Sequence, residues 1–200
     1  MTEAETPPTS GPKLTRREQY ERTHAGIVRT AARLVRERGI SGASVDDVMQ
    51  AAGLTRGGFY AHFRDKTAMV GEALHEAFRE ARKNLLEFDL EGDAWLGKAS
   101  ERYLSEAHLD QPGRGCAVPS LGAEVARADA EVGEVFAREI DHVLGGIQQK
   151  LGGGKDARRR AIMFLSTAVG AMVLARGVGA RSLALEILST ARASLSKPKP

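Results

Sequence analysis

The sequence predicts an all-α protein, on three observations. Alanine, leucine, glutamate and arginine are abundant, whereas aromatic residues make up only 5% of the chain, a balance that favours helix. No stretch shows the alternation of β-branched and polar residues expected of a strand. Apolar residues instead recur three and four positions apart. With 200 residues, 42% of them hydrophobic, the chain suits one medium domain or a small domain fused to a larger one.

The first stretch, "MTEAETPPTSGPKL" (residues 1–14), is polar and proline-rich and lacks the apolar core of a signal peptide. It reads as a disordered tail. The first helix opens at Thr15, where "TRRE" fits a capping box with Glu18 reaching back. Ile27, Ala31, Leu34 and Val35 form its apolar stripe, and Gly39 supplies a stop. Ser44 caps a short second helix whose first turn holds Asp46 and Asp47, complementing the helix dipole; it carries Val45, Val48, Ala51 and Ala52 and ends at Gly53. Thr55 opens a third helix to about His62, and Asp65 caps a long fourth to about Phe88. Further helices are expected over residues 93–108, 119–128, 130–151, 156–176 and 180–195. "DQPGRGC" forms a loop, "GGGK" a break and "GVG" a turn. That makes about nine helices in all, with a frayed tail at residues 197–200.

Residues 1–66 hold 11 Lys+Arg against 8 Asp+Glu, while the remainder balances 18 against 18. All of the net +3 charge therefore lies in the first third, which suits a polyanion partner for that part alone or a solvated basic helix. Cys116 is the single cysteine, so an intrachain disulfide is excluded and a reducing cytoplasm is the simple reading. The most apolar run, residues 161–175, falls short of the roughly 20 residues a membrane-spanning helix needs and reads as a buried or interface helix. Chemistry is not signposted. His24, His62, His75, His108 and His142 are scattered, with no HExxH and no paired metal spacing. GxSxG and the phosphate-binding GxxxxGK[ST] are absent, and "GGGK" lacks both their spacing and a preceding strand. No catalytic residue, metal or cofactor is expected.

The informative stretch is "GLTRGGFYAHF", residues 53–63. Two short helices meet across "AGLT" in a helix-turn-helix pattern. On a helical wheel Phe59 and Phe63, with Leu54, mark the buried side, and Gly57, Gly58 and Ala61 lie opposite. Each glycine costs a helix interior about 1 kcal/mol relative to alanine. That cost makes sense where a large partner must approach the backbone closely, as the major groove of DNA does. Thr55 and Arg56 occupy the end that meets bases, although the wheel turns Arg56 toward the buried side, so that it must swing out on its stem or bind phosphate. Tyr60 and His62 flank the bare face with polar tips suited to phosphate. Ser44 and Lys66, near helix N-termini, suit the same task. Each also has a structural reading: a half-buried aromatic for Tyr60, a plain cap for Ser44, a surface histidine for His62.

"SVDDVMQAAGLTRGGFYAHFRDKTAM", residues 44–69, closely resembles the DNA-binding segment of the TetR family of bacterial repressors. "GIVRTAARLVRERGISGAS" before it is similar to the family's first helix and loop, so the resemblance spans about residues 15–74. Met49 stands where the family often has alanine, a change that affects packing. The resemblance implies a three-helix DNA-binding domain (residues 15–66) and a larger helical domain (67–196) that dimerises and binds a small effector. It supports phosphate or base roles for Ser44, Thr55, Arg56, Gly57, Tyr60, His62 and Lys66, with Gly58 beside them.

It further implies a homodimer whose recognition helices sit about 34 Å apart on palindromic double-stranded DNA. A ligand that favours another separation releases it, with the fourth helix as lever. Sequence leaves open an activator of the same fold, or a helical enzyme or interaction module that does not read DNA. The last two helices offer the dimer surface through Ile162, Leu165, Val169, Met172, Val173 and Leu188, with Gly170 and Ala171 allowing close approach. Phe78, Leu85, Trp95, Tyr103, Cys116, Leu121, Phe136, Met163 and Phe164 are candidates for an effector pocket. Cys116 lies between Arg114 and a helix start, both of which favour a depressed thiol pKa. It reads as a sensor of electrophiles, as in relatives with a similar "GC" pair, or as a small buried residue.

Overall fold

The computed structural model describes residues 14–196; the tail at residues 1–13 and the last four residues lie outside the described part. Nine α-helices and two 3-10 turns make up the fold, and no strand occurs among the described residues.

Helix α1 (Arg16–Gly42) opens as its sequence dictates. The Thr15 hydroxyl accepts from Glu18 N, and the Glu18 carboxylate accepts from Thr15 N at 2.7 Å. Ile27, Ala31, Leu34 and Val35 are all buried. Gly39 is a break rather than an end. Its backbone sits at φ 80°, ψ 169°, a region open to glycine alone, and one more turn follows. That turn persists because Glu124, far along the chain, accepts hydrogen bonds from Ile40 N at 2.8 Å and Ser41 N at 3.4 Å. N–H groups freed at the break thus find a partner.

Helix α2 (Val45–Ala51) carries a reciprocal cap between Ser44 and Asp47. The third element, Arg56–Ala61, is a 3-10 helix, not the α-helix expected. Helix α3 (Lys66–Leu86) starts on the Asp65 cap, whose carboxylate accepts from Ala68 N at 2.8 Å, and packs between α1 and the helix over Ala130–Lys150. The helix expected over residues 93–108 is two: α4 (Gly92–Tyr103) and α5 (Glu106–Asp110). Leu104 leaves helical geometry at φ −95°, ψ 40°, and Ser105 caps the new start by accepting from His108 N.

After a 3-10 turn at Pro112–Arg114 comes α6 (Ala117–Val125), with Cys116 in the cap position. It begins earlier than expected because Pro119 is tolerated in a first turn, where its missing N–H would have no partner. Helices α7 (Ala130–Lys150), α8 (Gly154–Gly177) and α9 (Arg181–Leu195) complete the chain. Gly152, Gly153 and Gly154 all have positive φ, which forces the break between α7 and α8.

A continuous apolar cluster runs from α1 to α9, with Trp95, Phe78, Phe164 and Leu121 fully buried in it. Helix α8 extends well beyond its apolar run, to 24 residues, and is by length and composition apolar enough to cross a membrane. Its Ala161, Phe164, Leu165, Ala168 and Met172 are nevertheless packed in the core.

Candidate functional site

Helix α2 ends at Gly53, whose φ of 73° suits the left-handed position after a helix. Gly53 N donates to Gln50 O at 3.0 Å and Leu54 N to Met49 O at 2.9 Å. Thr55 is extended, and its hydroxyl makes no capping bond, leaving it exposed at the head of the recognition segment. Phe59 and Phe63 are buried and stacked, with ring centroids 5.4 Å apart. The tighter 3-10 winding changes what faces outward from the wheel drawn for an α-helix.

Three sequence expectations change with it. Leu54 is exposed, not buried. Arg56 points into solvent and pairs with Asp46 at 2.9 Å. His62 turns inward: its ring stacks on Tyr20 at 4.7 Å, with His24 5.6 Å away. Burial, reinforced by His24, holds His62 below the usual histidine range, so at neutral pH it brings no charge to a phosphate.

Tyr20 also donates from its hydroxyl to Ala61 O at 3.2 Å, and His24 bonds Glu72 at 2.7 Å. These two α1 residues seat the recognition segment, and the sequence reading missed them. Their signal was present: Tyr20 and His24 are four apart and continue the Ile27–Ala31 stripe toward the N-terminus.

The outward face is made by Thr55, Arg56, Gly57 and Tyr60, the last 73% exposed. The paired glycines are not equivalent. A Cβ on Gly57 would meet nothing within 4 Å, whereas one on Gly58 would rest on Met49 Cε at 3.6 Å. Gly57 thus clears the face, and Gly58 lets the segment lie against α2. Ser44 is exposed, but its hydroxyl donates to the Asp47 carboxylate and accepts from Asp47 N. Its cap role is filled. Lys66 lies half-buried at the start of α3.

In the body of the molecule a cavity of about 550 Å³ opens between the end of α3, α4, α5 and the loop before α6. Of the pocket residues expected from sequence, Leu85, Tyr103 and Cys116 line it. Phe78, Trp95, Leu121 and Phe164 instead fill the close-packed core. Phe136 lies edge-on to Phe78, centroids 5.5 Å apart. Met163 faces outward and is 60% exposed.

Cys116 departs from the low-pKa expectation, because burial pushes its thiol up. Its backbone N–H donates to His108 Nε2 at 3.0 Å, and His108 Nδ1 bonds Tyr103 O at 2.7 Å. Burial holds His108 down to about 4, so its ring is neutral. From α1, the buried Arg36 donates to Ala32 O at 3.0 Å, to Gly115 O at 3.1 Å and to the Glu80 carboxylate at 2.7 Å. The cavity wall is thereby tied to the helix that seats the recognition segment.

On α8 and α9, the expected dimer residues divide. Ile162 and Val173 are exposed, and Val169 is half-buried. Leu165, Met172 and Leu188 are buried in their own subunit and cannot meet a second copy. Helical spacing identified the stripes but not which of them the chain itself covers. Met163, Leu174 and Leu183 extend the exposed apolar face.

A helix-turn-helix thus sits at one end of an all-helical body. Residues 27–73 match the sequence model of the bacterial regulatory proteins of the tetR family. The HTH-type transcriptional repressor DhaR of Mycobacterium sp. (strain GP1) is 26% identical over 100 residues, covering 50% of each chain. The transcriptional regulator AcuR of Cereibacter sphaeroides is 32% identical over 107 residues, 51% of this chain and 48% of that one. The matched stretch thus spans half or less of the curated relatives' length. A TetR transcriptional regulator from Chloroflexus aurantiacus has the same fold, with a TM-score of 0.73 at 22% identity over 89% of this chain and 94% of that one. The chain thus resembles the TetR family in sequence over residues 27–73 and in fold over most of its length.

Proposed function

We propose that the protein is a cytoplasmic transcriptional regulator that binds a palindromic operator as a homodimer and is released by a small molecule. Repression is the favoured sign. The observation that carries this reading is the open face at Gly57. Thr55, Arg56 and Tyr60 surround it in solvent, and Phe59 and Phe63 anchor the opposite side. A major groove admits such a segment and reads it through its side chains. Residues 15–66 serve as the DNA-binding part and 67–196 as the effector and dimerisation part.

Support for the dimer comes from the exposed strip of Ile162, Met163, Val173 and Leu174 on α8 beside Leu183 on α9. Apolar surface of this kind marks an interface, and the small Gly170 amid it allows backbones to approach. The cavity beside Tyr103 and Cys116 is the effector site, and α3, which runs from Lys66 to the cavity wall at Leu85, is the lever.

The test is selection of bound sequences from random duplex DNA, followed by titration of the selected duplex at several salt concentrations. An inverted repeat with half-sites about 10 base pairs apart, and affinity that falls steeply with salt, is expected. Recovery of no common sequence would refute the reading.

A further inference from the structure

The cavity in the body is apolar within and basic at its edge. Leu85, Leu86, Phe88, Val143 and Leu165 supply the apolar lining. Arg82, Lys98, Arg102 and Arg114 also line it, against a single carboxylate, Glu101. Three of these cations have acids beside them. Arg82 pairs with Glu139, Lys98 with Glu101 at 3.1 Å, and Arg102 lies 3.9 Å from Glu87. Arg114 makes no ion pair among the described residues.

A second unanswered charge stands behind the same end. Arg176, on α8, donates to Ser120 Oγ at 3.1 Å and to the backbone O of His108 at 2.7 Å. Neither acceptor is charged, and Arg176 also makes no ion pair among the described residues. Its Nη2 would lie 3.4 Å from a Cβ on Gly115, the residue after Arg114. His108 and Gly115 both line the cavity. Burial weakens screening, so the field of this half-buried guanidinium reaches the cavity and favours an anion there.

We propose that the cavity takes an amphiphilic carboxylate, with an apolar body against the leucine, phenylalanine and valine lining and its carboxylate held by the Arg114 guanidinium. A planar guanidinium matches a carboxylate with two parallel N–H bonds. The volume of about 550 Å³ suits a two-ring compound. The grip lies one residue from the Gly115 carbonyl that Arg36 of α1 holds. The proposal rests on the cavity being the effector site, and it names the charge that the site selects.

The experiment is calorimetric titration of the full chain with 2-naphthoate, 2-naphthamide and 2-naphthylmethylammonium, which share a ring system and differ in charge. Wild type should bind the carboxylate about tenfold more tightly than the amide, the worth of one charge-assisted hydrogen bond, and the ammonium more weakly than either. Arg114→Gln keeps a polar side chain and removes the charge. It should bring carboxylate affinity to within about threefold of the amide and leave the amide unchanged. Arg114 is exposed, so the thermal melt should not move. Arg159→Gln removes an exposed arginine outside the cavity lining and should change neither affinity. Amide binding as tight as the carboxylate, tightest binding of the ammonium, no binding of any probe, a carboxylate preference that survives intact in Arg114→Gln, or one lost equally in Arg159→Gln would each overturn the proposal. The wild-type order of the three probes decides the matter even if the Arg114 variant fails to fold. Release of the selected duplex by 2-naphthoate is measured separately. Arg114-dependent binding without release would count against the regulatory reading and leave the ligand chemistry standing.

Discussion

Replacing Gly39 by alanine tests how α1 is held to the body. Gly39 sits at φ 80°, ψ 169°, where a side chain adds about 1–3 kcal/mol of backbone strain. Its Cβ would also collide with the Glu124 carboxylate. Moving that carboxylate gives up its bonds from Ile40 N and Ser41 N, worth about 2 kcal/mol between them at this partly exposed site. Together these predict a loss of about 3–5 kcal/mol, slightly offset by the lower entropy of the unfolded alanine chain. Urea unfolding measures it, and a double-mutant cycle apportions it. In a Glu124→Ala background the collision disappears, so Gly39→Ala should cost only the strain, about 1–3 kcal/mol. The reasoning fails if Gly39→Ala costs under about 1 kcal/mol in the wild-type background, or if its cost is the same in both backgrounds.

Other outcomes follow from the same geometry. Gly57→Glu should abolish binding to the selected duplex in an anisotropy titration while changing stability by no more than about 0.5 kcal/mol, since a side chain there meets open space. Met163→Asp combined with Val173→Asp should shift the chain from dimer to monomer in analytical ultracentrifugation. Met172→Asp should instead unfold it, because Met172 is fully buried. His108 is held down to about 4 from an ordinary 6.5, so the unfolded chain takes up the proton first. Stability is therefore full above pH 6.5 and should fall by up to about 3 kcal/mol as pH drops toward 4. Urea midpoints of wild type and His108→Gln across that range should converge at low pH.

Much of the fold was legible because local rules and tertiary structure agree. The Thr15 capping box and the Ser44 and Asp65 caps set three helix starts from a few residues each, and all three starts occur as read, Ser44 with a reciprocal bond to Asp47 besides. The breaks at Gly39 and Leu104 were harder. At Gly39, a carboxylate 85 positions away in sequence keeps the helix going, and nothing local signals that. Leu104 carries no helix-breaking residue type. At the recognition segment, the aromatic and glycine pattern gave the right anchors, Phe59 and Phe63, but an α-helical wheel misplaced Arg56 and His62 because the winding is 3-10. Periodicity also could not tell Met163, which faces out, from Phe164, which faces in. Neighbours on a helix swap sides with a modest rotation, and only the packing of α8 on α7 and α9 fixes that rotation.

Arg36 carries a lesson for anyone splicing such proteins. Its guanidinium clasps Ala32 of its own helix, Glu80 on α3 and the Gly115 carbonyl at once. A graft cut after residue 66 would carry the arginine into a foreign body and strand it there, unless the recipient supplied an acid and a carbonyl in the same two places. Chimeras assembled from this chain should therefore be chosen by whether that clasp can close again, not by where the helices happen to stop.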